Sequence, residues 1–137
     1  MRQMAVFGKR GIVQKQVGRR ISFYEAVKTC LVKFFTFSGR ASRAEYWYFV
    51  LFIYGVHFFG YILIYLTETD IIYNSLLIFG WIMFMPGLTV SVRRLHDINR
   101  SGWWLTLAFT GVGYLWLIYW AIKKSDVGEN RFGQSGQ

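Results

Sequence analysis

Apolar and polar positions alternate along this chain in long blocks rather than residue by residue. Three windows, Tyr46–Leu66, Ile72–Val92 and Trp103–Ile122, contain none of the seven acidic and sixteen basic residues. Each is 20 or 21 residues long. At ~1.5 Å per residue a helix of that length covers ~30 Å, the thickness of a bilayer's hydrocarbon core. One such window fits the core helix of a soluble protein; three in succession predict an all-α integral membrane protein. The expected fold is three transmembrane helices over about 44–66, 72–92 and 103–122, with an N-terminal amphipathic helix at the membrane interface.

The interfacial helix is read from residues 22–37, where Phe23, Val27, Cys30, Leu31 and Phe34 share one helical face and Glu25 and Lys28 lie off it. The stretch is too short and too charged to span, and its apolar face suits the acyl-chain boundary. Burial against the other helices fits the same periodicity. Gly39 can break this helix, and Ser42-Arg43-Ala44-Glu45 reads as a capping box that opens the first span. Ser42 is expected to accept from the N–H of Glu45, whose carboxylate returns to the N–H of Ser42. Trp47 falls at headgroup depth. In the second span Pro86-Gly87 predicts a kink, and Arg93-Arg94 place two cations on the negative end of the helix dipole. The third window carries Gly111-Val112-Gly113 at its centre. A continuous third span is the first expectation. A break there, returning as a re-entrant hairpin buried in protein, is the alternative.

Composition supports the membrane reading. The chain is 54% hydrophobic and 20% aromatic, with a mean hydropathy of +0.29, well above a soluble domain of this size. Residues 1–20 hold six Lys/Arg and no acid, which suggests a flexible basic arm ahead of a single membrane domain at 21–133. Residues 123–137 form a short polar tail. Beside a membrane such an arm is attracted to anionic lipid, at about 1 kcal/mol per basic residue, more simply than to nucleic acid. The arm lacks the apolar stretch and cleavage site of a signal peptide, so the first span is expected to be an uncleaved anchor.

Topology follows from the basic residues. Ten Lys/Arg precede the first span, none lie in the acidic turn Thr67–Asp70, and three lie in the connector Arg93–Gly102. The positive-inside rule puts the amino terminus and loop 93–102 in the cytoplasm, with the chain in the bacterial inner membrane as a multi-pass protein. Three spans then send the tail outside, although it carries three further Lys/Arg.

Candidate chemistry is concentrated at the cytoplasmic end. One cluster is Arg40, Arg43 and Glu45; the other is Arg93, Arg94, His96, Asp97, Asn99 and Arg100. A carboxylate among arginines stays ionised and pairs with them. The most economical arrangement therefore makes Asp97 the partner of Arg40 or Arg43 and clamps the connector over the first span, with Trp103 and Trp104 seating the third. The alternative is a phosphate site in which Arg93, Arg94 and Arg100 hold a phospholipid head group or another phosphorylated membrane molecule. An enzyme would use His96 as base with Asp97 or Glu45, but no nucleophile elbow, paired-carboxylate spacing, phosphate loop or metal triad accompanies it. A small transporter or channel component has no polar stripe in its spans to support it. No catalytic residue is assigned. The single cysteine, Cys30, allows no internal disulfide or thiolate cluster, and His57 and His96 are too far apart to share a metal. No metal or cofactor is expected. His57, alone at mid-span, is read as a neutral imidazole bonded to a backbone carbonyl or a tyrosine. The partners expected are anionic membrane lipids, and the aromatic spans suit a second copy or another membrane protein.

Three segments, FSGRASRAEYWYF, RRLHDINRSGWW and GENRFG, occur in that order. Together they resemble the YhaH/YhaI-like bacterial inner-membrane proteins, domain of unknown function 805. The resemblance covers roughly Phe34 to Gly133. The basic arm is longer than the family pattern needs, and KKSDV at 123–127 replaces its Pro/Gly-rich approach to the tail motif. The resemblance implies a small multi-span membrane protein and supplies no activity or catalytic residues.

Overall fold

The computed structural model of the chain describes residues 21–134. The arm expected at 1–20 and residues 135–137 lie outside the described residues. A short helix, α1 (Phe23–Val32), opens on a complete capping box: Ser22 accepts from the Glu25 N–H, and the Glu25 carboxylate accepts from the Ser22 N–H at 3.1 Å. The helix stops five residues short of the expected Phe37.

Two long helices follow, α2 (Arg43–Thr67) and α3 (Asp70–Asp97). They form an antiparallel pair, because only two residues join them and Glu68 turns the chain in a left-handed conformation, φ 50°. At 25 and 28 residues both exceed ~30 Å at ~1.5 Å per residue and are apolar enough to cross a membrane. Their outward faces carry exposed Leu51, Phe58, Phe59, Leu63, Ile78 and Trp81. Such continuous apolar surface is tolerated only against lipid or another protein.

The capping box expected at the start of α2 forms only half. Ser42 accepts from the Glu45 N–H at 3.2 Å, but the Glu45 carboxylate turns to Arg93 instead of back to Ser42. A buried guanidinium outcompetes a backbone amide for the carboxylate, because an ion pair compensates its charge and an amide does not. At the other end, α3 does not stop where the apolar window stops. It continues through Arg93, Arg94 and His96 to Asp97, so these residues sit on helical turns rather than in a loop.

The third window is not one continuous helix but is broken at its centre, the alternative that Gly111-Val112-Gly113 left open. A 3-10 helix, Gly102–Thr110, is followed by a break at Gly111 and an 11-residue helix, α4 (Val112–Ile122). Gly111 has φ +64°, a conformation that side chains disfavour. At Gly113 an added Cβ would come 2.3 Å from the Leu107 carbonyl oxygen. The two arms pack this closely because no side chain separates them, and the Gly113 N–H donates to the Thr110 hydroxyl across the turn. The segment starts beside the end of α3 and returns there, with the Asp126 N–H donating to the Asp97 carbonyl at 3.1 Å.

Two apolar clusters flank this meeting point. Cys30, Ala41, Phe49 and Val90 join α1, α2 and α3, while Leu95, Ile98 and Trp120 join the end of α3 to the hairpin. In α1 the buried positions are Ala26 and Cys30, so the inward face is narrower than the periodicity implied, and Phe23 and Leu31 remain partly exposed.

The close approach at Gly113 makes a direct test. Gly113→Val is expected to cost about 1–3 kcal/mol through overpacking against backbone and to lower the melting temperature of the detergent-purified protein. Gly55→Ala, where an added Cβ meets nothing within 4 Å, should melt like the parent. Equal melting of all three proteins would contradict the hairpin packing.

Candidate functional site

The polar residues at the end of α3 are arranged around Asp97. Its carboxylate is completely buried and receives two guanidiniums: Arg40 Nε at 2.9 Å on Oδ1 and Arg94 Nη1 on Oδ2. Asp97 is thus paired with Arg40 and with its own-helix neighbour Arg94, whereas Arg43 is exposed on the first turn of α2. A second pair lies deeper toward α1, where Arg93 Nη1 donates to Glu45 Oε1 at 2.5 Å. Arg93 is fully buried, and its Nε and Nη2 have no protein partner.

The remaining donors of Arg40 and Arg94 hold the tail. Arg40 donates to the carbonyls of Asp126 at 2.6 Å, Gly128 at 2.7 Å, Asp97 at 3.1 Å and Gly133 at 3.3 Å. Arg94 donates to the carbonyls of Ala121 at 3.1 Å and Lys123. Guanidinium is suited to this work because its five N–H groups lie in one plane and point in fixed directions. Carbonyl oxygens add negative partial charge where only one carboxylate serves two cations.

His96 and Asp97, adjacent in sequence, face different partners. His96 Nδ1 lies 3.2 Å from the Gly39 carbonyl; since a carbonyl can only accept, the proton sits on Nδ1. Its ring stacks on Phe132 at 3.9 Å with the planes 3° apart. Asn130 donates to the His96 carbonyl at 2.9 Å, and Arg131 donates to the Asn99 carbonyl at 3.1 Å. Asn99 holds φ 56° at the exit from α3. Arg100 lies over the ring of Trp120 at 4.9 Å and that of Trp104 at 5.9 Å. Arg93, Arg94 and Arg100 therefore head for three separate sets of partners and do not converge on one point. The tail acceptors from Ala121 to Gly133 were missed as site components. Backbone carbonyls carry no residue-type signature; only the GENRFG motif pointed in their direction.

His57 is half-buried at mid-span, its Nδ1 2.9 Å from the Ile53 carbonyl one turn back. By the same argument that ring donates from Nδ1.

The family described as "Protein of unknown function (DUF805)" matches residues 34–134. The chain belongs to this family. Among its DUF805 relatives, the inner membrane protein YhaI of Escherichia coli (strain K12) is 37% identical over 98 residues, covering 71% of this chain and 82% of YhaI. Inner membrane protein YhaH of the same organism is 36% identical over 105 residues, covering 71% of this chain and 84% of YhaH. No solved structure matches. These relatives support a bacterial inner-membrane location. The DUF805 match takes in Arg40, Glu45, the arginines of α3 and the tail, but begins after α1.

One residue of α1 nevertheless touches the site. The Cys30 thiol lies 3.8 Å from Glu45 Oε1, and burial, followed by the neighbouring Glu45 charge, pushes its pKa up to about 12. A raised pKa keeps the thiol protonated at neutral pH, and the thiol form is not nucleophilic. Cys30 is expected to resist maleimide in the folded protein and to react fully after denaturation. Rapid labelling of the native protein would show that α1 is not packed over Glu45.

Proposed function

We propose that the protein is a non-enzymatic structural and interaction protein of the bacterial inner membrane, in which buried arginines lock two spanning helices, a re-entrant hairpin and the tail into one unit. The observation that carries this reading is how the guanidiniums are used. Arg40 and Arg94 share Asp97 and place their other donors on carbonyls of the hairpin's end and the tail. Groups committed in this way position polypeptide, and His96 and Asp97 face away from each other rather than forming an acid–base pair.

The same reading gives the topology. Between Arg43 and Arg93 the chain has no Lys or Arg, and the acids there are Glu45, Glu68 and Asp70. If the hairpin enters and leaves by one side, Lys123, Lys124 and Arg131 lie on the side of Arg40 and Arg100. The tail cations that opposed a three-span arrangement then obey the positive-inside rule. The amino terminus, the end of α3 and the tail are cytoplasmic, the Glu68–Asp70 turn is external, and α1 lies at the interface.

A double-mutant cycle tests the lock. Asp97→Asn leaves two buried guanidiniums without a countercharge and is expected to cost about 3–5 kcal/mol. Arg40→Gln is expected to cost less, because Arg94 still pairs with Asp97. The double variant should lose less than the sum of the two. Lys123 and Lys124 are exposed but sit on backbone held by Arg94, so all three variants should be cut there by trypsin faster than the parent. Unchanged melting and tail protection in Asp97→Asn would overturn the reading.

A further inference from the structure

Between α2, α3 and the hairpin lies a cavity of about 510 Å³. That is the size of a site for a small molecule or a lipid chain. Its walls are mostly aliphatic and aromatic, with Ile53, Met83 and Leu117 among them, and its polar groups are segregated. Arg94, Tyr46 and Ser91 stand at the end nearest the arginine layer, and His57 stands at mid-span. The rim residues Tyr54, Phe84 and Tyr114 are more than half exposed, so the cavity opens sideways toward the hydrocarbon.

Charge defines what enters. Among the described residues, the buried charged side chains are Arg40, Arg93, Arg94, Glu45 and Asp97, an excess of one positive charge. Arg94 is the member that faces the cavity. It uses one N–H on each of its three nitrogens for Asp97, Ala121 and Lys123, and a guanidinium has five. Exposed Arg43 lies within electrostatic reach of it. A buried positive excess at the polar end of an apolar slot calls for an anion carrying a hydrocarbon chain.

We propose that this cavity takes one acyl chain of an anionic phospholipid from the surrounding bilayer, with the lipid phosphate at the Arg94 end. This goes beyond the arginine lock, which stands whether or not lipid is bound. The opposite face supplies an internal control. A groove of about 740 Å³ between α2 and α3, lined by Leu51, Gly55, Leu63 and Phe79, has no charged side chain and therefore no anchor for a head group.

The test uses the full chain purified in detergent, with phosphatidylglycerol and phosphatidylcholine of identical chains as probes. Native mass spectrometry is expected to show one retained phosphatidylglycerol, with roughly tenfold preference over phosphatidylcholine. Phosphatidylglycerol bearing a diazirine in one chain should crosslink to Ile53, Met83 and Leu117 rather than to Leu51 and Leu63. Ala108→Trp fills the rim from a position that makes none of the lock's bonds, and should reduce retention several-fold; Leu63→Trp should not. Equal retention of both lipids, or crosslinks spread over both faces, would overturn the proposal. Full retention by a folded Ala108→Trp would overturn it as well. Should that variant fail to fold, the crosslink map and lipid preference of the parent still decide.

Discussion

Asp97 has no solvent, and two guanidiniums share its carboxylate. Burying a single carboxylate costs several kcal/mol, and so does burying each cation; the three are tolerable together because each is placed on the others and most of the spare donors find carbonyls. That requirement propagates outward. Arg40 must come down from the segment before α2, Arg94 must stay on an unbroken α3, and the chain beyond Ile122 must return to offer its backbone oxygens. Remove the carboxylate and the two arginines that hold the tail's carbonyls lose the charge that fixes them.

The hairpin is the other half of the same arrangement. A straight helix through the third window would carry Lys123 to the far end of the molecule, about 30 Å from Arg94. Breaking at Gly111 returns it, and the 3-10 helix supplies its own internal bonds, with Thr106 and Thr110 hydroxyls donating to the carbonyls three residues back. Nine residues is long for a 3-10 helix. Packing against α4 and the end of α3 compensates for its poorer hydrogen-bond geometry. In a membrane protein of the DUF805 family this makes the polar end a four-part junction of α2, α3, hairpin and tail, with α1 and its Cys30 laid over the Glu45–Arg93 pair.

How far sequence reasoning reached follows from what leaves a mark on residue types. The two long helices were legible because charge is excluded from their windows. The Arg40–Asp97 contact was one of two pairings that charge alone allowed. The end of α3 was not legible, since Arg93 to Asp97 look like a connector until a buried partner is found for each. A local rule pairs Glu45 with Ser42, and Arg93, 48 residues away, overrides it. The break at Gly111–Gly113 was visible as an alternative, but hydrophobicity favoured a continuous helix, and only the close approach to Leu107 decides between them. The tail's carbonyl acceptors had no residue-type signature beyond the GENRFG motif around them, because every residue has a carbonyl.

The Asp97 junction requires the tail to lie on the same side of the membrane as Arg40 and the end of α3. Single cysteines placed by Gln134→Cys and by Glu68→Cys in a Cys30→Ser background, tested in spheroplasts with an impermeant maleimide, measure this directly. Glu68→Cys is expected to be labelled from outside, and Gln134→Cys only after the membrane is permeabilised. Labelling of both from outside would mean a third crossing, and the junction of Asp97 with the tail could not exist.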